Sequence, residues 1–345
     1  MQVEFLKPPR IGRGDTVAAI SMSWGGAALF PQVVAEAKRN LADLLGVEVI
    51  DTPHALRDDD WLYAHPRARA DDLHWALENP EVKGVISYIG GDESVRTLEH
   101  VDRSLIRKNP KVLLGFSDTT CAQMEFLSAG VSCLYGPSLM AGVADLGWAS
   151  YSANCLAQVL AGWTGPFRAA AEWTEDVSDW ESVDFPSAVR AAKRMRPGGW
   201  TWSGTGRGEG RLVGGCIEVL EMLKGTRFLP STDLWSGAVL MLETSEEVPG
   251  PDRVERWLRN YATAGVLGAV AALVLARPRG YAEEQKRELA RVVAKVLAEV
   301  DRTDLPVVFD VDCGHTSPMM TLPLGCRVAV DADARTFDLL EPAVS

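Results

Sequence analysis

The sequence predicts an α/β protein, with an N-terminal open, doubly wound (flavodoxin-like) parallel sheet and a second, C-terminal β/α domain. Three observations predict it. Short apolar runs alternate with amphipathic stretches through the first 140 residues, the pattern of β–α units on a parallel sheet. That rhythm breaks over 164–209 and resumes from Gly210. The length, 345 residues, exceeds one typical domain and suits two.

In chain order, Thr16–Ser21 reads as a strand, with the loop Trp24-Gly25-Gly26 after it. Gln32–Leu45 reads as a helix, because Val33, Val34, Ala37, Leu41, Leu44 and Leu45 share one face. Val47–Ile50 is a strand and Arg67–Glu78 a helix. Gly84–Tyr88, Lys111–Leu114 and Val131–Tyr135 are further strands, with helices near Ser94–Leu98 and Thr119–Leu127 between them. The segment 164–209 holds Trp173, Trp180, Trp200 and Trp202 among prolines and glycines without a clean period, so it reads as a linker and ordered surface loop. Domains are thus expected at 1–163 and 210–345. In the second, Arg211–Val213, Ala238–Leu242, Val270–Leu275, Val307–Phe309 and Arg327–Val330 read as strands. Ile217–Leu223, Val254–Ala262 and Glu283–Val300 read as helices.

Composition narrows the function. With 47% hydrophobic and 24% charged residues it is that of an ordinary globular protein. No apolar run reaches the roughly 18–20 residues of a membrane span, and the start through Pro9 lacks the basic-then-apolar order of a secretory signal. The six cysteines are scattered with no C-x-x-C pair, which points to free thiols in the cytoplasm and not to a zinc site. A net charge of −12 argues against a nucleic-acid partner. No residue cluster calls for a metal or cofactor.

Several segments carry chemistry. Lys111-Val112-Leu113-Leu114-Gly115-Phe116-Ser117-Asp118 runs a strand through a glycine into a serine and then a helix. Such a turn lifts the serine to the carboxyl edge of the sheet and aims the next N–H at a developing oxyanion. Thr119 stands where the common elbow has a second glycine, and the same segment also reads as a helix cap. Gly90-Gly91-Asp92 ends another strand, where a backbone N–H could complete an oxyanion hole or simply turn the chain. Among five histidines, His315 lies on a glycine-preceded loop beyond a buried-looking strand, where α/β proteins display functional groups. Glu243 ends the apolar run Val239–Leu242, a position costly for a carboxylate without a partner. The order Ser117, Glu243, His315 is the nucleophile–acid–base order of α/β-hydrolases. It splits the three between the two halves.

Gly115-Phe116-Ser117-Asp118-Thr119, Tyr88-Ile89-Gly90-Gly91-Asp92, Arg67 to Leu73, Gly214-Gly215-Cys216, Leu242 to Glu247 and Gly314-His315-Thr316 together resemble the LD-carboxypeptidase family of serine peptidases. The Trp-rich segment and the Leu242–Glu247 stretch are more similar to its microcin C immunity branch than to the murein-recycling enzymes. The resemblance implies two domains, a homodimer, a Ser117–Glu243–His315 triad and an oxyanion hole of backbone N–H groups near Gly91 and Asp118. It implies a small-molecule substrate, an aminoacyl-nucleotide or a peptide, with Trp180 as candidate for stacking on a nucleobase. Many relatives carry asparagine where this chain has Cys216, and some carry lysine just past the glutamate, where it has Glu246 and Glu247. These positions, Cys216 and Glu247 above all, are therefore expected at the acyl end of the substrate. A murein L,D-tetrapeptide is the alternative substrate, and binding of a nucleotide-like ligand without turnover the alternative function.

Overall fold

In the computed structural model, which describes residues 4–345, two sheets form the scaffold. The first contains β1 (Thr16–Ile20), β2 (Glu48–Asp51), β3 (Val82–Ser87), β4 (Val112–Gly115) and β5 (Cys133–Tyr135). These five are parallel in the order β2-β1-β3-β4-β5. They are aliphatic, and β1, β3 and β4 are buried almost throughout, as strands covered by helices on both faces must be. The order reverses between β1 and β3, which opens a crevice at their carboxyl ends. The helix Pro31–Leu45 begins with a proline at its first turn and ends at Gly46, whose left-handed φ of 70° lets its N–H close on the Ala42 carbonyl.

The second sheet has eight strands. Its centre is parallel: Arg207–Cys216, Val239–Glu243, Ala272–Ala276 and Val307–Val311. The long first of these pairs antiparallel with Arg327–Asp331 through its first half and parallel with Val239–Glu243 through its second. The predicted fold class is thus the observed one. No helix of the described residues is long and apolar enough to cross a membrane.

Three features differ from the sequence reading. Leu322–Leu324 leaves the second half of the chain and joins the first sheet antiparallel to β5. The segment 164–209 is more ordered than a linker. Gly165–Pro166 and Thr201–Ser203 form the two edges of the second sheet, Glu172–Trp173 pairs with Arg196–Pro197, and Phe185–Arg190 is a helix capped by Asp184. Two- and three-residue strands carry no readable period, which is why the sequence hid them. Ser94–Leu98 resolves into two short 3-10 turns, Ser94–Arg96 and Leu98–His100.

Candidate active site

The loops leaving β1, β3 and β4 meet at the carboxyl edge of the first sheet. After β4 the chain extends through Phe116 and then turns sharply at Ser117, which holds a left-handed φ of 58° before the helix Thr120–Ser128. For a residue other than glycine this conformation is strained, and it persists only where the surroundings enforce it. Among the enforcers are the Tyr135 hydroxyl, which accepts from the Ser117 N–H at 3.2 Å, and Asp118. The Asp118 carboxylate accepts from the Ser94 N–H, and its carbonyl from the Ser94 hydroxyl, both at 2.8 Å.

The paired glycines after β3 lie directly on this turn. A Cβ at Gly90 would sit 2.9 Å from Ser117 Cβ and 3.3 Å from the Asp118 nitrogen, so only glycine leaves room beside the serine. Gly91, at φ 147°, would meet Ser23 Oγ at 2.2 Å. The Trp24 N–H donates to the Gly90 carbonyl at 3.1 Å, and the fully buried Arg69 donates to Met22 O and to Glu93. The two loops are therefore fastened to each other.

From the second sheet come Glu243, at the end of its strand, and His315, on the loop after Val307–Val311. Glu243 Oε2 lies 2.8 Å from His315 Nδ1. The approach depends on Gly314, whose φ is 80° and whose Cβ, if present, would be 2.3 Å from that same oxygen. The Tyr135 hydroxyl donates to the other carboxylate oxygen, Oε1, in a short contact. Tyr135 thus links the backbone of Ser117 to Glu243. Phe116 packs edge-on against the imidazole, 4.9 Å between ring centres. The structure brings Ser117, Glu243 and His315 to one place.

The second ring nitrogen, Nε2, lies 2.8 Å from Glu246 Oε2. Burial by itself would lower the pKa of His315, but Glu243 and Glu246 outweigh it and hold the imidazole at about 10. Pairing with His315 draws Glu246 down to about 2 against the opposing effect of its own partial burial. Burial, reinforced by the neighbouring Glu243, pushes the Tyr135 hydroxyl well up, so it stays a donor.

The remaining sequence candidates take different places. Trp180 is half-buried and stacks on Trp24, with ring centres 6.3 Å apart at 14°, while Phe30 meets it edge-on. Cys216 is buried, its N–H on Thr120 Oγ1 at 3.1 Å and its thiol 3.3 Å from Glu218. Burial raises the pKa of that thiol well above the ordinary range, with Glu243 and Glu218 adding to the effect. Glu247 is exposed, its N–H on Ser245 Oγ. Sequence reasoning missed Tyr135 and Trp24 and expected Glu246 at the acyl end of the substrate, not against the His315 ring. A strand-end tyrosine looks like core, and Glu246 reaches the ring only because the chain turns after Thr244. A cavity of about 910 Å³ bordered by Arg103, Arg211 and Arg227 includes none of the three clustered residues. Among the described residues no group of three or more His, Cys, Asp or Glu side chains is placed to hold a metal ion.

Comparison with known proteins bears on this arrangement. The LD-carboxypeptidase N-terminal domain family matches residues 17–136 and the LD-carboxypeptidase C-terminal domain family residues 209–330. A putative carboxypeptidase of Vibrio cholerae is 28% identical over 94% of this chain and 95% of its own length. The microcin C7 self-immunity protein MccF of Escherichia coli is 26% identical over 81% of this chain and 80% of its own. An MccF-like protein from Streptococcus pneumoniae, solved with AMP, superposes with a TM-score of 0.82 at 26% identity, covering 94% of this chain and 98% of that one. MccF solved with aspartyl sulfamoyl adenosine gives 0.88 at 24% identity over 99% of this chain and all of that one, a likeness of fold. This chain belongs to the LD-carboxypeptidase family of serine peptidases, with MccF and MccF-like proteins among its relatives.

Proposed function

We propose that this serine hydrolase cleaves the amide-type bond between an aminoacyl group and a modified nucleotide, as in microcin C-type antibiotics, and so serves detoxification or self-immunity. The observation that carries the reading is the Trp24–Trp180–Phe30 cluster, tied through the Trp24 N–H to the Gly90 loop that abuts Ser117. An aromatic face next to the nucleophile can hold a nucleobase while the acyl bond lies over Ser117, and stacking of this kind contributes about 1–3 kcal/mol per base.

The side chains supply the chemistry. Ser117 Oγ attacks the acyl carbonyl while its proton passes to His315 Nε2, and the Gly91 and Asp118 N–H groups receive the oxyanion. As the C–N bond breaks, the imidazolium returns the proton to the leaving nitrogen. Water then attacks the acyl–Ser117 ester with His315 again as base, releasing the acid and restoring the serine. Glu243, locked by Tyr135, holds the imidazole tautomer. Cys216 and Glu247 belong, in this reading, to the walls beyond the acyl group. The reading also includes a homodimer, domains at 1–163 and 210–345 with 164–209 as linker and substrate loop, and action in the cytoplasm. Sedimentation equilibrium checks the first of these.

A relative named as a probable murein peptide carboxypeptidase of Bacillus subtilis is 26% identical over 98% of this chain, which favours murein L,D-tetrapeptide hydrolysis as the second reading. One experiment separates them. Wild type and Ser117→Ala are incubated with an aminoacyl sulfamoyl-adenosine or an L,D-tetrapeptide, and products are followed by mass spectrometry. Turnover of the nucleotide substrate, lost by on the order of 10⁶ in the mutant, supports the proposal. Turnover of the tetrapeptide alone refutes it. Equal rates in the mutant refute the triad, and tight binding without turnover points to a sequestering protein.

A further inference from the structure

Both nitrogens of the His315 ring are held by carboxylates. Nδ1 faces Glu243 and Nε2 faces Glu246, each at 2.8 Å. A serine proton can be accepted only at a free Nε2 lone pair, so a ring so held is not ready to act as base. The two carboxylates differ in freedom. Glu243 is buried and fixed by Tyr135, whereas the Glu246 side chain is 60% exposed. The backbone around Glu246 is anchored. Ser245 donates to Glu218 Oε1 through both its N–H and its hydroxyl, at 2.8 and 2.9 Å, and the Glu247 N–H returns to Ser245 Oγ at 3.2 Å. Glu246 can therefore leave His315 by side-chain rotation alone.

We propose that Glu246 is a specificity-determining latch, which occupies His315 Nε2 in the free enzyme and is drawn off by a cationic group on the acyl side of the substrate, the α-ammonium of an aminoacyl group. The inference rests on the hydrolase reading above. A cation competes directly for a carboxylate in contact with an imidazolium. The surroundings favour a cation. Glu247 is a further exposed carboxylate on the same loop, and Glu218 lies beneath it. The charged groups acting on the ring are Glu243 and Glu246, Arg279 acts on Glu246, and the neighbouring Phe116 and Cys313 carry no charge. Once Glu246 turns to the ammonium, Nε2 loses its anionic partner, its proton passes to solvent, and the neutral nitrogen is free to take the Ser117 proton. Binding of the right substrate thereby arms the base.

The test uses Glu246→Gln, with an aminoacyl sulfamoyl-adenosine and its N-acetylated counterpart. Wild type is expected to favour the free amine in kcat/KM by at least about tenfold, the scale of one charge-assisted contact. In E246Q the preference should fall toward unity, and the acid limb of kcat/KM should move down by about three pH units, the drop from about 10 that release of the proton near neutral pH requires. An unchanged preference together with an unchanged pH profile overturns the latch. A second measurement does not need turnover. Imidazole NMR should show the His315 titration lowered in E246Q relative to wild type. Calorimetry of Ser117→Ala in buffers of different ionisation enthalpy should show release of about one proton on binding the free-amine ligand, and none with E246Q added. If wild type hydrolyses neither compound the hydrolase reading fails, and the titration then decides the latch, which an identical His315 titration in both proteins overturns.

Discussion

Replacing Tyr135 with phenylalanine removes one oxygen and leaves the ring, so it isolates the link between the proposed nucleophile and the proposed acid. In the wild type this hydroxyl donates to Glu243 Oε1 and accepts from the Ser117 N–H. Glu243 has 1% of its side chain exposed, so water cannot replace the lost donor. A hydrogen bond to a buried charged group is worth about 1.5–3 kcal/mol, and an orphaned buried acceptor costs about as much. If that loss falls on orientation of Glu243 and Ser117 in the transition state, kcat falls about 10- to 150-fold. KM should change little, because the hydroxyl faces the triad and not the substrate. The Tm should drop in parallel, and the ring itself, packed against Phe116 at 6.5 Å, should keep the fold. Steady-state kinetics and calorimetry on wild type and Tyr135→Phe read both quantities. A variant with wild-type kcat and Tm would refute the argument that this hydroxyl positions Glu243 and the Ser117 turn.

Three further outcomes are expected. Gly314→Ala places a Cβ against Glu243 Oε2 at a φ of 80°, so expression should fall, and any folded fraction should show kcat reduced by about tenfold or more, read by active-site titration. Arg277→Met leaves Asp312 buried without its cation, while Asp312 still accepts from Ala170 N–H and Trp200 Nε1; unfolding in urea should show a loss of about 3–5 kcal/mol. His315, raised from an ordinary value near 6.5 to about 10 in the fold, contributes stability in full below pH 6.5 and loses it as pH rises through about 10. Wild type should therefore lose more stability than His315→Gln between pH 6.5 and 10, and parallel curves would contradict the paired imidazolium.

What the sequence disclosed and what it hid divide along physical lines. The parallel strands are continuous aliphatic runs, so their existence could be read locally, and so could the three polar residues standing where such runs end: Ser117, Glu243 and His315. Glu243 announces itself as a costly residue at a strand's end, His315 as a histidine on a loop beyond a strand, and Ser117 only as a serine at a strand-to-helix turn that a helix cap explains equally well. Tyr135 does not, since an aromatic residue at the end of Cys133-Leu134-Tyr135 costs nothing to bury and only its partner 108 residues away gives it a role. Glu246 and Asp312 likewise matter through what they touch. The second acts through Arg277, Trp200 and the Ala170 N–H, contacts no window of sequence contains. The short strands of 164–209 were hidden for the same reason: their order comes from the edges they complete.

The strand Leu322–Leu324 sets a timetable. On the ribosome, β1 to β5 emerge long before residue 322, yet β5 keeps an open edge until that late strand arrives. Closing it joins positions about 190 residues apart, a contact made late in synthesis and slow to find. The nascent first half is therefore a sheet with an unfinished side, and the residue at that side is Tyr135, whose partner Glu243 lies 108 residues further on and is made before Leu322. His315 lies only about seven residues before that strand, so the last member of the proposed triad and the strand that completes the first sheet are made together.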